Sequence, residues 1–381
     1  MAQSREQFAG RTWTVAQWPR YWLTTRRSIR PTTLHIYTRH VEKDLIPTIG
    51  HPRLAEVTGR HLTAMFAELA TSPDTGRRRT ASTTQRIRAT LRAAYNAAIR
   101  DGLVADNPAR RAEMPQPRRP HAVAWTDGRV ESWQTDGVRP AVAVWTAAQT
   151  AAFLEHVEGD PLFAFWWLVA LRGLRRGEAA GLRWQDIDLQ RRQLTVVNQR
   201  TTVGYQIVEG PPKSAASRRT IALDHQTVAV LRAHRRRQRA LSGQLGLTWT
   251  EAGYVFVTAD GRPYHPNYFT KRLQYLIKAA GLPPVRLHDL RHGAASLAHT
   301  AGADLKTVQD QLGHSSIVLT ADTYTTVLPV AQHKAAEATA RLILTTARGL
   351  RAKINRANRR PAHQRPPQRS APTTPSIGAD R

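Results

Sequence analysis

RLHDLRHGAASLAHTAGADLKTVQDQLGHSSIVLTADTY, residues 286 to 324, is the stretch from which the rest of the chain is read. Pro283 and Pro284 hold the backbone extended just before it, and a helix begins near His288. Positions three apart share a helical face, so the His288 imidazole and the Arg291 guanidinium point the same way. The helix N-terminus beneath them favours an anion. Asp304 is placed to cap a second short helix that Gly313 closes, and Ser316 to cap a third that carries Tyr324. A cation pair, a second imidazole at His314 and a phenol, delivered on three short helices, point to chemistry on a phosphate.

Each piece alone is weak. The chain holds 15 His and 49 Arg among its 381 residues, so His-x-x-Arg arises by chance about twice. It occurs twice, at His288/Arg291 and at His234/Arg237 within HRRRQR. The second lies in a polar, arginine-dense helix and reads as a solvated or DNA-facing surface. A lone Tyr before Thr-Thr-Val is ordinarily packing. Only the ordered set carries the argument.

Composition narrows the partner. At 381 residues with 41% hydrophobic content the chain has room for two or more cored domains. A net charge of +28 and a pI near 11.5 exceed what solubility needs and attract polyanions, with nucleic acid first among them. The absence of Cys excludes disulfides and thiolate metal sites and fits a reducing cytoplasm. MAQSREQFAGRTW does not read as a signal peptide. PLFAFWWLVAL, residues 161–171, is too short to span a bilayer and reads as a core helix. No repeat of solenoid period is found.

Residues 13 to about 110 read as helical, preceded by a short lead over 1–12. Trp13, Trp18, Tyr21, Trp22 and Leu23 recur at helical spacing, and a second helix runs from Pro31 to about Ile46. Pro47 to Pro52 reads as a turn. Helices follow over Gly59 to Ala70 and Ser82 to Arg100, the latter with Ile87, Leu91, Tyr95 and Ile99 at fours. Its other face and approach carry Arg77, Arg78, Arg79, Arg86, Arg88 and Arg92 without nearby acids, an expected contact with the DNA backbone. This is a small all-helical clamp.

A Pro- and Arg-containing linker occupies 111–143, of which Ala124 to Val144 gives no clear pattern. Thr146 and Gln149 form a capping-box pattern opening a helix to about Val157, and Asp160-Pro161 starts a Trp-rich helix that stops at Gly173. QLTVVNQRTT, YQIVEG and SRRTIAL, from Gln193 to Leu223, read as a three-stranded antiparallel sheet, with Lys213 in the turn before the last strand. Helices then occupy about 225–242 and 267–280. The second domain, 144–341, is thus α+β. From 342 to 381 the chain is basic, Pro-containing and poor in large apolar residues after Ile354, and reads as a disordered tail.

In order, Gly-Leu-Arg-Arg-Gly-Glu at 173–178, Lys213 in a turn, His-x-x-Arg at 288–291, Leu-Gly-His at 312–314 and Tyr324 resemble the tyrosine recombinases. The resemblance spans about 13–340 and is greatest to integrases of actinobacterial phages and integrative elements. It implies a mainly α, multidomain fold: a helical, SAM-like core-binding domain over 13–110, and an α+β catalytic domain with a small antiparallel three-stranded sheet. The implied catalytic set is Arg175, Lys213, His288, Arg291, His314 and Tyr324. Arg176 is then a surface or DNA-backbone residue, and Glu178 orients the arginines. Only seven of the 56 basic residues are Lys, yet an amine is kept at Lys213, where a proton must be able to leave.

The implied chemistry needs no metal, nucleotide or other cofactor. Tyr324 attacks the scissile phosphate, leaving a 3′-phosphotyrosyl link and a 5′-hydroxyl. His288 assists deprotonation of the phenol, whose ordinary pKa is about 10. His314 hydrogen-bonds the phosphate, Arg175 and Arg291 grip its non-bridging oxygens, and Lys213 protonates the departing oxygen. The implied partners are double-stranded DNA attachment sites, bound by a homotetramer across two of them, with an excisionase or a host DNA-bending protein as accessories. No membrane is involved, and the expected location is the bacterial cytoplasm, at the nucleoid. Many such integrases carry an arm-binding domain before the core-binding one, whereas here about a dozen residues precede Trp13. Either the enzyme works without arm sites or the start codon was assigned late. Alternatives are a Xer-like resolvase, an invertase or a relaxing enzyme of the same chemistry, or a non-catalytic DNA-binding protein that retains the fold.

Overall fold

The fold comes from a computed structural model, which describes residues 12–71, 79–117, 120–313, 341, 343–345 and 348–349. Two large apolar cores organise it up to residue 313, the first with buried members from Val15 to Ala112 and the second from Trp125 to Leu290, and a small third cluster joins Ala295, Val308 and Leu312.

The first core is helical. α1 spans Gln17–Thr24 and α2 spans Pro31–His40, whose opening proline needs no hydrogen-bond partner at that position. α2 runs through a π-helical turn, Val41–Leu45, into α3, Ile46–Ile49. The expected turn at Pro47 therefore begins only at Gly50. Pro47 stands in the first turn of α3, just after the π turn has already broken the α-type ladder, and its missing N–H costs nothing there. α4 (Gly59–Thr71) and α5 (Ala81–Arg100) complete this half, α5 being capped by Thr80, whose hydroxyl accepts from the Thr83 N–H. Ile87, Leu91 and Tyr95 are buried at the expected spacing, and the Trp18 indole N–H donates to the Ala94 carbonyl at 2.9 Å.

The second core resolves the unassigned stretch. Two-residue strands, β1 (Val123–Ala124) and β2 (Ala143–Val144), pair in parallel around α6 (Asp127–Asp136). Strands this short show no period in sequence. α7 (Ala147–His156) begins at the expected capping box, with Thr146 Oγ1 accepting from the Gln149 N–H at 3.2 Å and Gln149 Oε1 from the Thr146 N–H at 3.0 Å. α8 (Phe163–Trp167) widens into a second π turn, Leu168–Arg172, and stops at Gly173, φ 68°. Phe165 stacks on Phe269 at 3.9 Å in the middle of this core. α9 is Arg176–Ala180.

A small antiparallel three-stranded sheet is present, with a membership that differs from expectation. β3 (Ile187–Asp188), β4 (Gln193–Val196) and β7 (Arg219–Ala222) form it in the order β3-β4-β7. β5 (Gln199–Val203) and β6 (Gln206–Gly210) form a separate hairpin. The run read as one strand breaks at Val197-Asn198, which lets β7 rather than β6 pair with β4 and sets Leu194 opposite Ile221. α10 (His225–Gln244), α11 (Pro266–Ala279), α12 (Leu287–Thr300) and α13 (Leu305–Leu312) follow. Asp304 caps α13 through the Thr307 N–H at 2.8 Å, and Gly313 closes it at φ 65°.

Residues 343–345 and 348–349 are helical, inside the segment expected to lack structure; the apolar Ile343 and Leu344 precede the loss of large side chains on which that expectation rested. No helix among the described residues is long and apolar enough to cross a membrane.

Candidate active site

The site is built where α8, α9, β7, α12 and α13 meet. The π turn after α8 delivers Gly173, where both the positive φ and a Cβ that would lie 2.6 Å from Leu312 call for glycine. Arg175 follows in extended conformation as the N-cap of α9. One turn on, the Glu178 carboxylate accepts from the Arg175 N–H at 2.9 Å and from its guanidinium at 2.7 Å. It also accepts from both terminal nitrogens of Arg219, at 3.1 and 3.0 Å. Burial alone would raise the Glu178 pKa. The hydrogen bond and charge of Arg219, with the charges of Arg175 and Arg291, overcome it and pull the pKa down from 4.5 to about 2. Glu178 is therefore a buried anion shared by three guanidinium groups.

Arg291 reaches the same place from α12. Its Nη1 donates to the Gly173 carbonyl at 2.6 Å and its Nη2 to the Leu312 carbonyl. Arg175 Nη2 donates to the next carbonyl, Gly313, at 3.3 Å. Two guanidinium groups thus sit on consecutive carbonyls at the C-terminus of α13, where unpaired acceptors and the negative end of the helix dipole draw cations. Arg291 is 1% exposed, whereas the Arg175 side chain is 32% exposed. Of the two, Arg175 is the more accessible.

His288 lies at the surface one helical turn before Arg291, edge-on to His292 at 5.0 Å. Desolvation lowers its pKa, helped by Arg291, Arg175 and Arg286 and opposed by Asp289. Desolvation, with the charges of His288, Arg291 and Arg286 and against that of Asp289, pushes His292 down to about 4. His288 is thus biased towards the neutral imidazole, the form able to accept a proton. Asp289 accepts from the Arg286 N–H at 3.0 Å and from its guanidinium at 2.8 Å, fixing the start of α12.

Lys213 stands exposed in the bend after β6. Its turn is tied to the arginines through hydroxyls: Ser214 Oγ lies 3.1 Å from Ser217 Oγ, which accepts from Arg175 Nη1 at 3.4 Å. His314 and Tyr324, the remaining members of the expected set, lie outside the described residues. So do Arg77 and Arg78 among the expected DNA-contacting arginines.

The other arginines divide. Arg86 and Arg92 are exposed on α5. Arg88 is turned inward, donating to the Ala109 carbonyl at 2.7 Å and the Arg110 carbonyl at 3.0 Å, so it fastens the end of the first core rather than facing outward. Arg79, read as lacking a balancing acid, pairs with the buried Asp44 at 2.7 Å, since the turn of helix at 41–45 brings that acid alongside. Arg176 is half-buried and donates to Thr270 Oγ1 at 3.1 Å, beside a cleft of about 390 Å³ that His288 and Arg286 also line.

Two residues, His234 and Arg219, are buried against the sequence expectation or without any place in it. His234 is buried, not solvated: its Nε2 is 2.8 Å from the Val255 carbonyl, its ring lies between Trp184 and Phe256, and burial pushes its pKa down to about 4. Arg237, beside it, is exposed and hydrogen-bonds the Pro161 carbonyl. Arg219, which no sequence motif singles out, joins Glu178 to the Gln311 carbonyl at 2.6 Å and the Ser217 carbonyl at 3.0 Å. Parity along β7 marks it, since Arg219 and Ile221 are buried while Thr220 and Ala222 are exposed. Among the described residues no group of His, Asp and Glu is arranged to hold a metal ion.

Comparison with known proteins agrees with this geometry. Residues 148–329 match the model of the phage integrase family. A tyrosine recombinase XerC-like protein of Caldanaerobacter subterraneus subsp. tengcongensis is 30% identical over 259 residues, 65% of this chain and 63% of that one. The chain therefore spans less than two thirds of that relative's length. The integrase of Mycobacterium phage L5 is 27% identical over 305 residues, 80% of this chain and 72% of that one. Among solved structures, the Tn1549 transposon integrase in complex with transposon right end DNA matches in fold, with a TM-score of 0.65 and 20% identity over 86% of this chain and 99% of that one. The arginine cluster lies inside residues 148–329, the segment that matches the phage integrase family, a tyrosine recombinase domain.

Proposed function

We propose that the protein is a site-specific DNA recombinase that cuts and rejoins DNA through a 3′-phosphotyrosyl intermediate, integrating or excising a mobile element. The observation that carries this reading is the meeting of Arg175 and Arg291 on the carbonyls of Gly313 and Leu312, directly before His314, around the shared Glu178. Three arginines far apart in sequence, Arg175, Arg219 and Arg291, are drawn there to one point, and the point is cationic.

In this reading the scissile phosphate lies over Arg175, which hydrogen-bonds its non-bridging oxygens while Arg291 adds positive charge from below. The Tyr324 hydroxyl attacks phosphorus as neutral His288 draws off its proton, and His314 hydrogen-bonds the phosphate. The P–O5′ bond breaks, and the Lys213 ammonium protonates the leaving oxygen. The new ester retains the energy of the broken bond, so the reverse attack by another strand's 5′-hydroxyl rejoins DNA without a nucleotide. The first core, residues 13–110, grips the DNA with Arg86 and Arg92, and 144–341 performs the chemistry. Four protomers act on two attachment sites in bacterial DNA, in the cytoplasm. Relatives named integrase favour integration, while the XerC-like relative favours resolution by the same chemistry.

The test is a nicked suicide substrate resolved on denaturing gels. The parent protein is expected to form a covalent DNA adduct; Tyr324→Phe is expected to bind the same DNA and form none. An adduct on the Phe protein would place the nucleophile elsewhere and refute the assignment.

A further inference from the structure

Arg30 is the N-cap of α2 and belongs to the half of the chain built on the first core. Its guanidinium leaves that half: Nη2 donates to the Pro212 carbonyl at 3.2 Å and to the carbonyl of Lys213 itself at 3.1 Å. The approach is not confined to one side chain. The His35 ring, a turn further along α2, lies 3.5 Å from where a side chain on Gly204 would begin, at the tip of the β5–β6 hairpin that leads into the lysine turn.

We infer that Arg30 is a positioning residue for Lys213, through which the DNA-gripping half of the chain holds the turn that carries the acid of the other half. This rests on the proposed role of Lys213. Lys213 is exposed, and a lysine has four rotatable side-chain bonds, so nothing on its own turn fixes where the ammonium points. A charged donor on its carbonyl and on the preceding one fixes the two peptide planes from which the side chain springs. Other ties of this turn run to Gln199, whose amide donates to the Pro211 carbonyl at 3.2 Å, and to Arg175 through Ser214 and Ser217. The lysine turn is therefore held on one side by the arginine cluster and on the other by the first core. Arg30 makes its two bonds only when the halves are together, so leaving-group protonation is coupled to closure of the clamp on DNA.

The experiment uses the full chain in single-turnover cleavage with saturating enzyme, so that weakened DNA binding does not enter the rate. Two nicked suicide substrates are compared, one with the natural 5′-bridging oxygen and one with sulfur there, a leaving group that needs no acid. Arg30→Ala is expected to cleave the oxygen substrate about tenfold more slowly than the parent, the order set by losing roughly one net hydrogen bond, and the sulfur substrate at the parent rate. Arg30→Lys, which keeps a charged donor but loses the fork, is expected to fall between them. Arg30→Ala cleaving the oxygen substrate at the parent rate overturns the inference. So does slow cleavage of both substrates by Arg30→Ala where Lys213→Ala is restored by sulfur, because the defect then lies outside the acid. If sulfur fails to restore Lys213→Ala, the acid assignment itself is wrong and the inference falls with it.

Discussion

Replacing Glu178 by Gln removes one negative charge and almost no volume. In the folded protein the carboxylate titrates at about 2 rather than 4.5, a difference equivalent to about 3 kcal/mol. A second route gives a similar figure: stripping one partner from a buried ion pair costs about 3–5 kcal/mol, and the Arg219 and Glu178 side chains are 6% and 1% exposed. Gln still offers one acceptor oxygen, so the expected loss is at the lower end, about 3 kcal/mol. Urea unfolding followed by far-UV circular dichroism at pH 7 reads this as a fall in midpoint of roughly 1 M. Glu42→Gln is the control, since that carboxylate pairs with Arg20 at 36% and 55% side-chain exposure, where a pair contributes at most about 1 kcal/mol. The pH dependence follows from the direction of the shift. A depressed carboxyl pKa stabilises the fold above the unfolded value, so the parent's contribution is complete above pH 4.5 and is lost as pH falls towards 2; the Gln variant should lack that component. A midpoint indistinguishable from the parent, or an unchanged acid transition, would show that Glu178 is not the anion that holds the arginines.

Gly313→Ala should be more damaging than its size suggests. The position has φ 65°, and a Cβ there would lie 2.6 Å from the Ala216 carbonyl and 2.8 Å from Arg219 Cδ. A loss of roughly 2 kcal/mol in unfolding free energy is expected, together with slower adduct formation as Arg219 is displaced; parent-like stability and cleavage would refute the close approach. The α5 arginines are separable by salt titration of DNA binding. Arg86→Ala and Arg92→Ala should each reduce the slope of log affinity against log salt by about 0.9. Arg88→Ala should leave the slope alone and lower stability instead, because its donors are used on Ala109 and Arg110; a reduced slope for Arg88→Ala would mean that it faces DNA after all.

Much of this was legible because local chemistry and global fold agree. Gly173 and Gly313 end helices with the backbone they were expected to need, Thr146 and Asp304 cap where their spacing said they would, and Arg175 and Arg291 converge. What was not legible depended on partners remote in sequence. Arg219 is inward because β7 pairs with β4, and no local signal beyond parity with Ile221 announces it. His234 looked solvated amid its arginines, yet the helical period sets it in line with Thr227, Val230 and Leu231, all buried on the inner face of α10. The break at Val197-Asn198 exchanged one strand of the sheet for another without changing its class. The strands beside α6 were too short for any pattern to show.

The π turn at Leu168–Arg172 makes chain length a determinant of the chemistry. A π turn already absorbs one residue more than the α-helical turn it replaces, so a residue added to or removed from the regular helix at Phe163–Trp167 would swing everything downstream by about 100° about the axis. Gly173 would then carry its carbonyl away from Arg291, and Arg175 would leave the carbonyl of Gly313. This stretch should tolerate exchange of one apolar side chain for another far better than any insertion or deletion. Here the protein counts residues, and the count sets the aim of Arg175.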